Sequence, residues 1–509
     1  MRTCLAPLIA LLIASVARPA AAENWAQFRG PGGNGLSAEK TLPAEWGVDK
    51  NIAWKVKLPG VAWSQAIVWG EKVFVTTAET DNQEKPRAGG FGPGGFGPGG
   101  FGPPGFGPGD FGPGQEAPPE RGGGPRRGGP PDRGGAQPRP GRGPRGFRGF
   151  PPGGFGGGEP PDVVYRWKVL CLDGATGKVL WEKTAREGKP RIAKQAANTY
   201  ASETPVTDGE RLIAYFGMTG VYCYDLSGKL LWGKDLGAYP MQMGQGTGSS
   251  PVLDGQRVFV QCDNEKASFL VALDKRTGDE LWRVARDEKS NWSTPYVWKN
   301  KQRTELVTAG GTKMRSYRPE DGELLWEIGA SGNAYTTPVG DEELLYVEAA
   351  GGMMGGRGLL AAVRAGATGD ISLKAGETAG AFVAWSEPVT TRRLASPLLY
   401  AGCLYMLDQQ GGIIRCCDAK TGKQHYRQRL PGARGFTSSP WASDGKVFCL
   451  DQDGVTVVLD ASPQLKVVAT NKLDEMFWSS AAVLGERLLL RGVDHLYCIE
   501  RPSSAREKR

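Results

Sequence analysis

The sequence predicts an all-β protein: an eight-bladed β-propeller of four-stranded antiparallel blades, closed by its N-terminal strand. Three observations predict it. A strand–turn–strand phrase recurs along the chain, a second phrase built on Pro alternates with it, and each repeat holds about four runs of strand length.

The first phrase is clearest at Leu270-Val-Ala-Leu-Asp-Lys-Arg-Thr-Gly-Asp-Glu-Leu-Trp282. Leu270 to Leu273 is a short apolar run of strand length. Asp274 can fold its carboxylate onto nearby backbone N–H groups, and Gly278 can take φ > 0 without steric cost. Trp282 ends the return strand. Copies run from Val169 to Trp181, Val221 to Trp232, Met314 to Trp326 and Ile414 to Tyr426, and Val457 to Asp460 is a worn copy. The second phrase is two small or polar residues before Pro: Glu203-Thr-Pro205, Ser249-Ser-Pro251, Ser293-Thr-Pro295, Thr336-Thr-Pro338, Ala395-Ser-Pro397 and Ser438-Ser-Pro440. Ser64-Gln-Ala66 and Ser479-Ser-Ala481 repeat it without Pro. The common period lies in the low to mid forties, the length of a propeller blade.

Eight units start near residues 63, 202, 249, 292, 335, 394, 437 and 478. The last supplies three strands before the chain ends. The fourth is available at the other end, where Asn51-Ile-Ala-Trp54-Lys-Val56 carries a Trp in the outer-strand position. Pairing it with the last blade removes two exposed edges.

In chain order, residues 1–22 read as an export signal: Arg2, an apolar middle from Leu5 to Val16, and small residues at Ala20 to Ala22. The apolar stretch is too short to span a bilayer, and no later run is long enough. The expected location is periplasmic or secreted. Residues 23–50 form an irregular lead-in, expected to pack across one face of the ring through Trp25, Phe28 and Trp46. The propeller occupies 51–501. Its first blade is interrupted by 79–161, where Phe91, Phe96, Phe101, Phe106 and Phe111 recur in Gly/Pro sequence ahead of an Arg/Gly/Pro tract. That composition cannot bury enough apolar surface to offset its ordering entropy, so a disordered insert between the second and third strands is expected. Contact with an anionic polymer is the functional alternative. Blade five is irregular: Ala365 to Ala381 replaces the tight turn, and Ala384-Trp385 recovers the outer strand.

The nine Cys do not read as a disulfide framework. Cys171, Cys223, Cys416 and Cys498 share one position in four blades, too far apart to bridge. Cys416 and Cys417 align with ordinary strand positions and read as packing residues, with a vicinal disulfide as the alternative. The net charge of +8 is concentrated in residues 121–150, which hold eight Arg and one Asp. The propeller itself is close to neutral, and nothing marks it as a nucleic-acid binder.

Chemistry-bearing motifs are few. His425 and His495 are the only histidines, and neither has a partner at ligand spacing. Asp451-Gln-Asp-Gly454 falls where a hairpin turn is expected and lacks the rest of a calcium loop. One constellation remains: Trp63, Trp292, Tyr335 and Trp478 sit at the start of innermost strands. There they either stack on a flat ligand at the mouth of the channel or plug it.

These phrases resemble the pyrroloquinoline-quinone-like β-propeller repeat family. Its signature, Ala-x-Asp-x-x-Thr-Gly-x-x-x-Trp, is met in full by Ala272 to Trp282, and Cys replaces the Ala at 171. The resemblance implies that Trp54, Trp181, Trp232, Trp282 and Trp326 dock one blade against the next, with Tyr426 substituting in blade six. One branch of the family, the quinoprotein dehydrogenases, oxidises alcohols or sugars with bound quinone, calcium and a catalytic Asp. Another resembles BamB, a scaffold of outer-membrane protein assembly. This chain lacks the long insertions of the first branch and any placeable metal ligands or base, and it is closer to the second in its bare blades. The expectation is therefore a non-catalytic, monomeric propeller without cofactor that meets envelope proteins or polymers through its loops. The alternative is a dehydrogenase using pyrroloquinoline quinone with calcium.

Overall fold

The computed structural model describes residues 23–86, 158–351 and 358–501. Contacts group the chain into one unit of Met1–Ala88 with Gly157–Arg509 and a second of Gly89–Gly156, which lies outside the described residues. So do residues 1–22, read as the export signal, and most of the 79–161 insert.

Eight antiparallel sheets stand in chain order around a ring, with no α-helix among the described residues. Blade one holds Ile67–Trp69, Lys72–Glu79, Tyr165–Asp173 and Val179–Gly188. Glu79 belongs to the second strand, opposite Arg166, rather than to the insert, because its carboxylate meets Lys168 at 2.5 Å. The last blade combines Ala482–Leu484, Arg487–Arg491 and His495–Ile499 with Ile52–Lys57 from the N-terminus. Trp54 lies opposite Cys498 and Lys57 opposite His495, so the ring is closed as expected.

The middle strands are sandwiched between neighbouring blades, which explains their unbroken apolar runs. Val258 to Val260 and Leu270 to Leu273 are fully buried. Outer strands alternate instead: Glu280 to Ala285 shows every second side chain to solvent. Cys416 and Cys417 point to opposite faces of one strand and pack into different apolar clusters. The Cys residues among the described ones are free, as the packing reading requires.

The signature phrase has a physical cause at each letter. The Asp274 carboxylate accepts from the N–H groups of Arg276 (2.7 Å) and Thr277 (3.0 Å), and Gly278 N–H donates to the Asp274 carbonyl at 2.8 Å. Gly278 has φ +77°, and the Trp232 ring of the preceding blade lies where a Cβ would stand. That indole donates to the Lys275 carbonyl at 3.0 Å. The same contact recurs for Trp54 with Gly174 (3.0 Å), Trp181 with Leu226 (3.2 Å), Trp282 with Pro319 (3.1 Å) and Trp385 with Ala419 (2.9 Å). Trp326 departs from this pattern: it donates to Glu305 Oε2 within its own sheet at 2.7 Å, while its ring still packs against blade five. Tyr426 keeps the packing position and makes no hydrogen bond through its hydroxyl.

The Pro phrase has its own cause, at the hub. At six of the eight blade junctions the Ser or Thr at this position offers its hydroxyl to the backbone N–H of the equivalent residue one blade earlier. Gln65 N–H donates to Thr204 Oγ1 (2.9 Å), Thr204 N–H to Ser250 Oγ (2.9 Å) and Ser250 N–H to Thr294 Oγ1 (3.0 Å). Around the other half, Thr337, Ser396 and Ser439 donate to Ser396, Ser439 and Ser480 at 2.9–3.0 Å.

Antiparallel pairing puts the blade-to-blade connections on one face of the ring and the strand-three-to-four hairpins on the other. The lead-in crosses the hairpin face, as expected, with Trp25 and Trp46 buried and Phe28 half-buried. Its backbone joins opposite sides of the ring: the Ala26 carbonyl accepts from Thr207, and the Gly35 carbonyl accepts from Ala442. Arg29 lies beneath the hub, fully buried, donating to the Pro397 carbonyl at 2.5 Å.

Candidate functional site

The connection face holds the candidate site, at the mouth of the hub. Trp63, Trp292, Tyr335 and Trp478 all lie there, but as two separate pairs. Trp63 of blade one stacks on Trp478 of blade eight at 5.4 Å between ring centroids. Trp292 of blade four stacks on Tyr335 of blade five at 5.0 Å and 11°. Neighbouring blades bring each pair together, and the two pairs stand half a ring apart. The outer face of Tyr335 is covered by the Arg392 guanidinium at 4.6 Å. Trp63 and Trp292 spend their indole N–H groups on the carbonyls of Ala197 (2.8 Å) and Gly246 (2.7 Å). Trp478 Nε1 is buried without a partner.

On the same face, where second strands end and blades connect, lie several buried acids. Asp263 forms a two-pronged pair with Arg286, 2.7 and 3.0 Å, and both side chains are fully buried. Glu288 meets Arg315 at 3.2 Å and accepts from Thr312 and Lys313. Arg393 lies 3.0 Å from Glu348 and 3.4 Å from Asp408. Asp451 accepts from the backbone N–H groups of Arg434, Asp453 and Val455, which makes 451–454 a capped turn.

Glu203 is different. It is fully buried, has no cation beside it, and one carboxylate oxygen is unpartnered. Burial raises its carboxyl pKa to about 7, against a weaker lowering by the Thr247 hydroxyl. On the same face a small pocket of about 20 Å³, room for one water, is lined by Tyr215, Gly217, Thr247, Ser249 and Gln261 among others. Ser249 Oγ and Gln261 Oε1 are also unpartnered. The sequence carried a signal here: Glu203 stands where other blades have Ser, Thr or Ala.

Sequence spacing did not reveal one further cluster. Glu475, Asp494 and His495 bring ligand atoms within 4.8 Å of one another. Glu475 is already committed: its oxygens accept from the N–H groups of Asp494 and His495, from His495 Nδ1 at 3.0 Å and from the Tyr497 hydroxyl at 2.7 Å. Asp494 pairs with Lys85 at 2.5 Å. The trio is a hydrogen-bonding centre for the last hairpin.

A family model described as outer membrane protein assembly factor BamB matches residues 165–295 and 266–415. No curated protein matches the chain. Among solved structures, BamB from Moraxella catarrhalis is 12% identical over 66% of this chain and 89% of its own, with TM-score 0.48. A europium-containing methanol dehydrogenase is 9% identical over 94% of this chain and 98% of its own, with TM-score 0.52. A computationally designed protein, Ika8, is 12% identical over 67% and 93%, with TM-score 0.45. At these identities the likeness is one of fold. With the matched repeats, eight four-stranded blades and the recurring Asp-Thr-Gly turn against Trp, the chain belongs to the pyrroloquinoline-quinone-like, BamB-like β-propeller repeat family.

Proposed function

We propose that the chain is an exported, non-catalytic propeller that serves as a scaffold or binding protein for envelope proteins or polymers. The observation that carries this reading is that most of the aromatic and acidic side chains named on the connection face are engaged with a neighbour. The aromatics stack in pairs, and Asp263, Glu288, Glu348 and Asp408 each face an Arg. Little is left at the mouth to grip a ligand, so recognition falls to the loops and the rim. The signal-like residues 1–22 support a periplasmic or secreted location. No helix among the described residues is long and apolar enough to cross a membrane.

The alternative is an alcohol or sugar dehydrogenase using pyrroloquinoline quinone and calcium. Calcium takes six to eight oxygen ligands, usually including several carboxylates. Of the buried acids named above, only Glu203 has an unpaired oxygen and no cation. The Cys416–Cys417 pair is buried within a blade rather than at the mouth. Among the described residues the donor set does not fit the group. Incubation with the quinone and calcium, followed by absorbance and dye-linked alcohol or sugar oxidation, tests the choice. The expected result is neither stoichiometric quinone nor turnover. A tightly held equivalent of quinone with turnover would overturn the proposal.

A further inference from the structure

Blade four shows what the outer edge of a blade can accept. Its outer strand, Leu324–Gly329, is not the edge of its sheet. Gly369–Asp370, from the long connection of blade five, pairs with it in parallel, Trp326 opposite Gly369 and Glu327 opposite Asp370. Ile371 N–H donates to the Glu327 carbonyl at 2.9 Å, and Gly329 N–H donates to Ser372 Oγ at 2.8 Å. Beneath this added strand Trp326 is fully buried, and Leu325 packs in one cluster with Ile371 and Leu373.

Blades one to three leave the same positions bare. The residue before the docking Trp is Leu180, Leu231 or Leu281, exposed by 50%, 41% and 48%. Each following Trp is only half-buried. Three consecutive blades thus present an unpaired edge and an exposed Leu in one register. An unpaired edge is a template for strand addition, and exposed Leu beside it adds apolar area to bury.

We propose that the outer edges of blades one to three, Val179–Gly188, Leu230–Lys234 and Glu280–Ala285, dock an extended segment of a partner protein as an added parallel strand. The chain's own Gly369-Asp-Ile-Ser-Leu373 defines the segment's chemistry. A small residue lies against the Trp, and apolar side chains alternate with small polar ones. This deepens the binding-protein reading and rests on it, by naming the surface and the kind of partner segment.

The probe is a fluorescein-labelled peptide of residues 366–374, titrated into the full chain and read by anisotropy. Saturable binding is expected. N-methylation at the amide equivalent to Ile371 removes an edge hydrogen bond and should weaken binding by about tenfold. The combined variant Leu180→Lys, Leu231→Lys and Leu281→Lys alters only exposed side chains. It should melt like the parent and also bind about tenfold more weakly. Amide hydrogen exchange should slow within 179–188, 230–234 and 280–285 when peptide is present. Absence of saturation, equal binding by the N-methylated peptide, or protection confined to blade four would overturn the proposal. The assay needs neither quinone nor an envelope extract. Its failure would remove the edge sites alone, whereas turnover with quinone would remove the scaffold reading whatever the peptide does.

Discussion

Glu203 shows how a single residue departs from the repeat. Its counterparts in the other blades are Ser, Thr or Ala, and its carboxyl is buried with no cation to hold its charge. The raised pKa, about 7, means that the folded protein keeps this proton where the unfolded chain, near 4.5, has lost it. The group's cost to stability is absent below about pH 4.5 and grows as pH rises towards 7, to about 3 kcal/mol. Glu203→Gln removes a charge that the site cannot solvate. Denaturant unfolding should show the variant equal to the parent near pH 4 and more stable by about 3 kcal/mol at pH 8; equal stability at both pH values would contradict the assignment. The odd letter was visible in the sequence, but its burial was not, because depth at the hub depends on all eight blades. Arg29 was hidden for the same reason. Nothing in Phe28-Arg-Gly30 marks a guanidinium that is taken under the ring, where burial lowers its pKa to about 10.

At the scale of the element, the repeated hairpin couples backbone conformation to blade docking. Gly278 needs its positive φ, and it also needs no Cβ, because Trp232 fills that space. Gly255 provides the comparison: it has φ +58° and nothing within 4 Å of an added Cβ. Gly255→Ala should therefore cost only the left-handed strain, about 1 kcal/mol. Gly278→Ala adds displacement of the indole and its bond to Lys275, for a total of about 3 kcal/mol. Equal losses in chemical unfolding of the two variants would show that the Trp contact contributes nothing. The hairpin was legible because Asp, Thr, Gly and Trp each answer a local demand at fixed spacing. The added strand at Gly369–Asp370 was not legible, since two residues in an irregular connection carry no period and pair with the preceding blade. The stacking of Trp63 on Trp478 was likewise hidden, since it depends on which units become neighbours when the ring shuts. The bond from Trp326 to Glu305 within its own sheet was not legible either, since nothing local to Trp326 marks a carboxylate two strands away as its acceptor.

At the scale of the molecule, the described blades form one closed ring. Hub hydroxyls link successive blades, the lead-in ties opposite sides, and Ile52–Lys57 joins the two ends of the propeller. Closure was readable as arithmetic: seven complete blades, three strands left at one end and one strand with a Trp at the other. The hub bonds were not readable, because Ser and Thr before Pro look the same whether they bond to solvent or to the next blade. The structure makes the N-terminal strand as much a part of the last blade as its C-terminal strands are. Amide hydrogen exchange on the intact protein tests this most directly. Residues 52–57 should exchange as slowly as 487–499 and open together with them as denaturant rises, whereas exchange of 52–57 at the rate of an unpaired loop would contradict the closed ring.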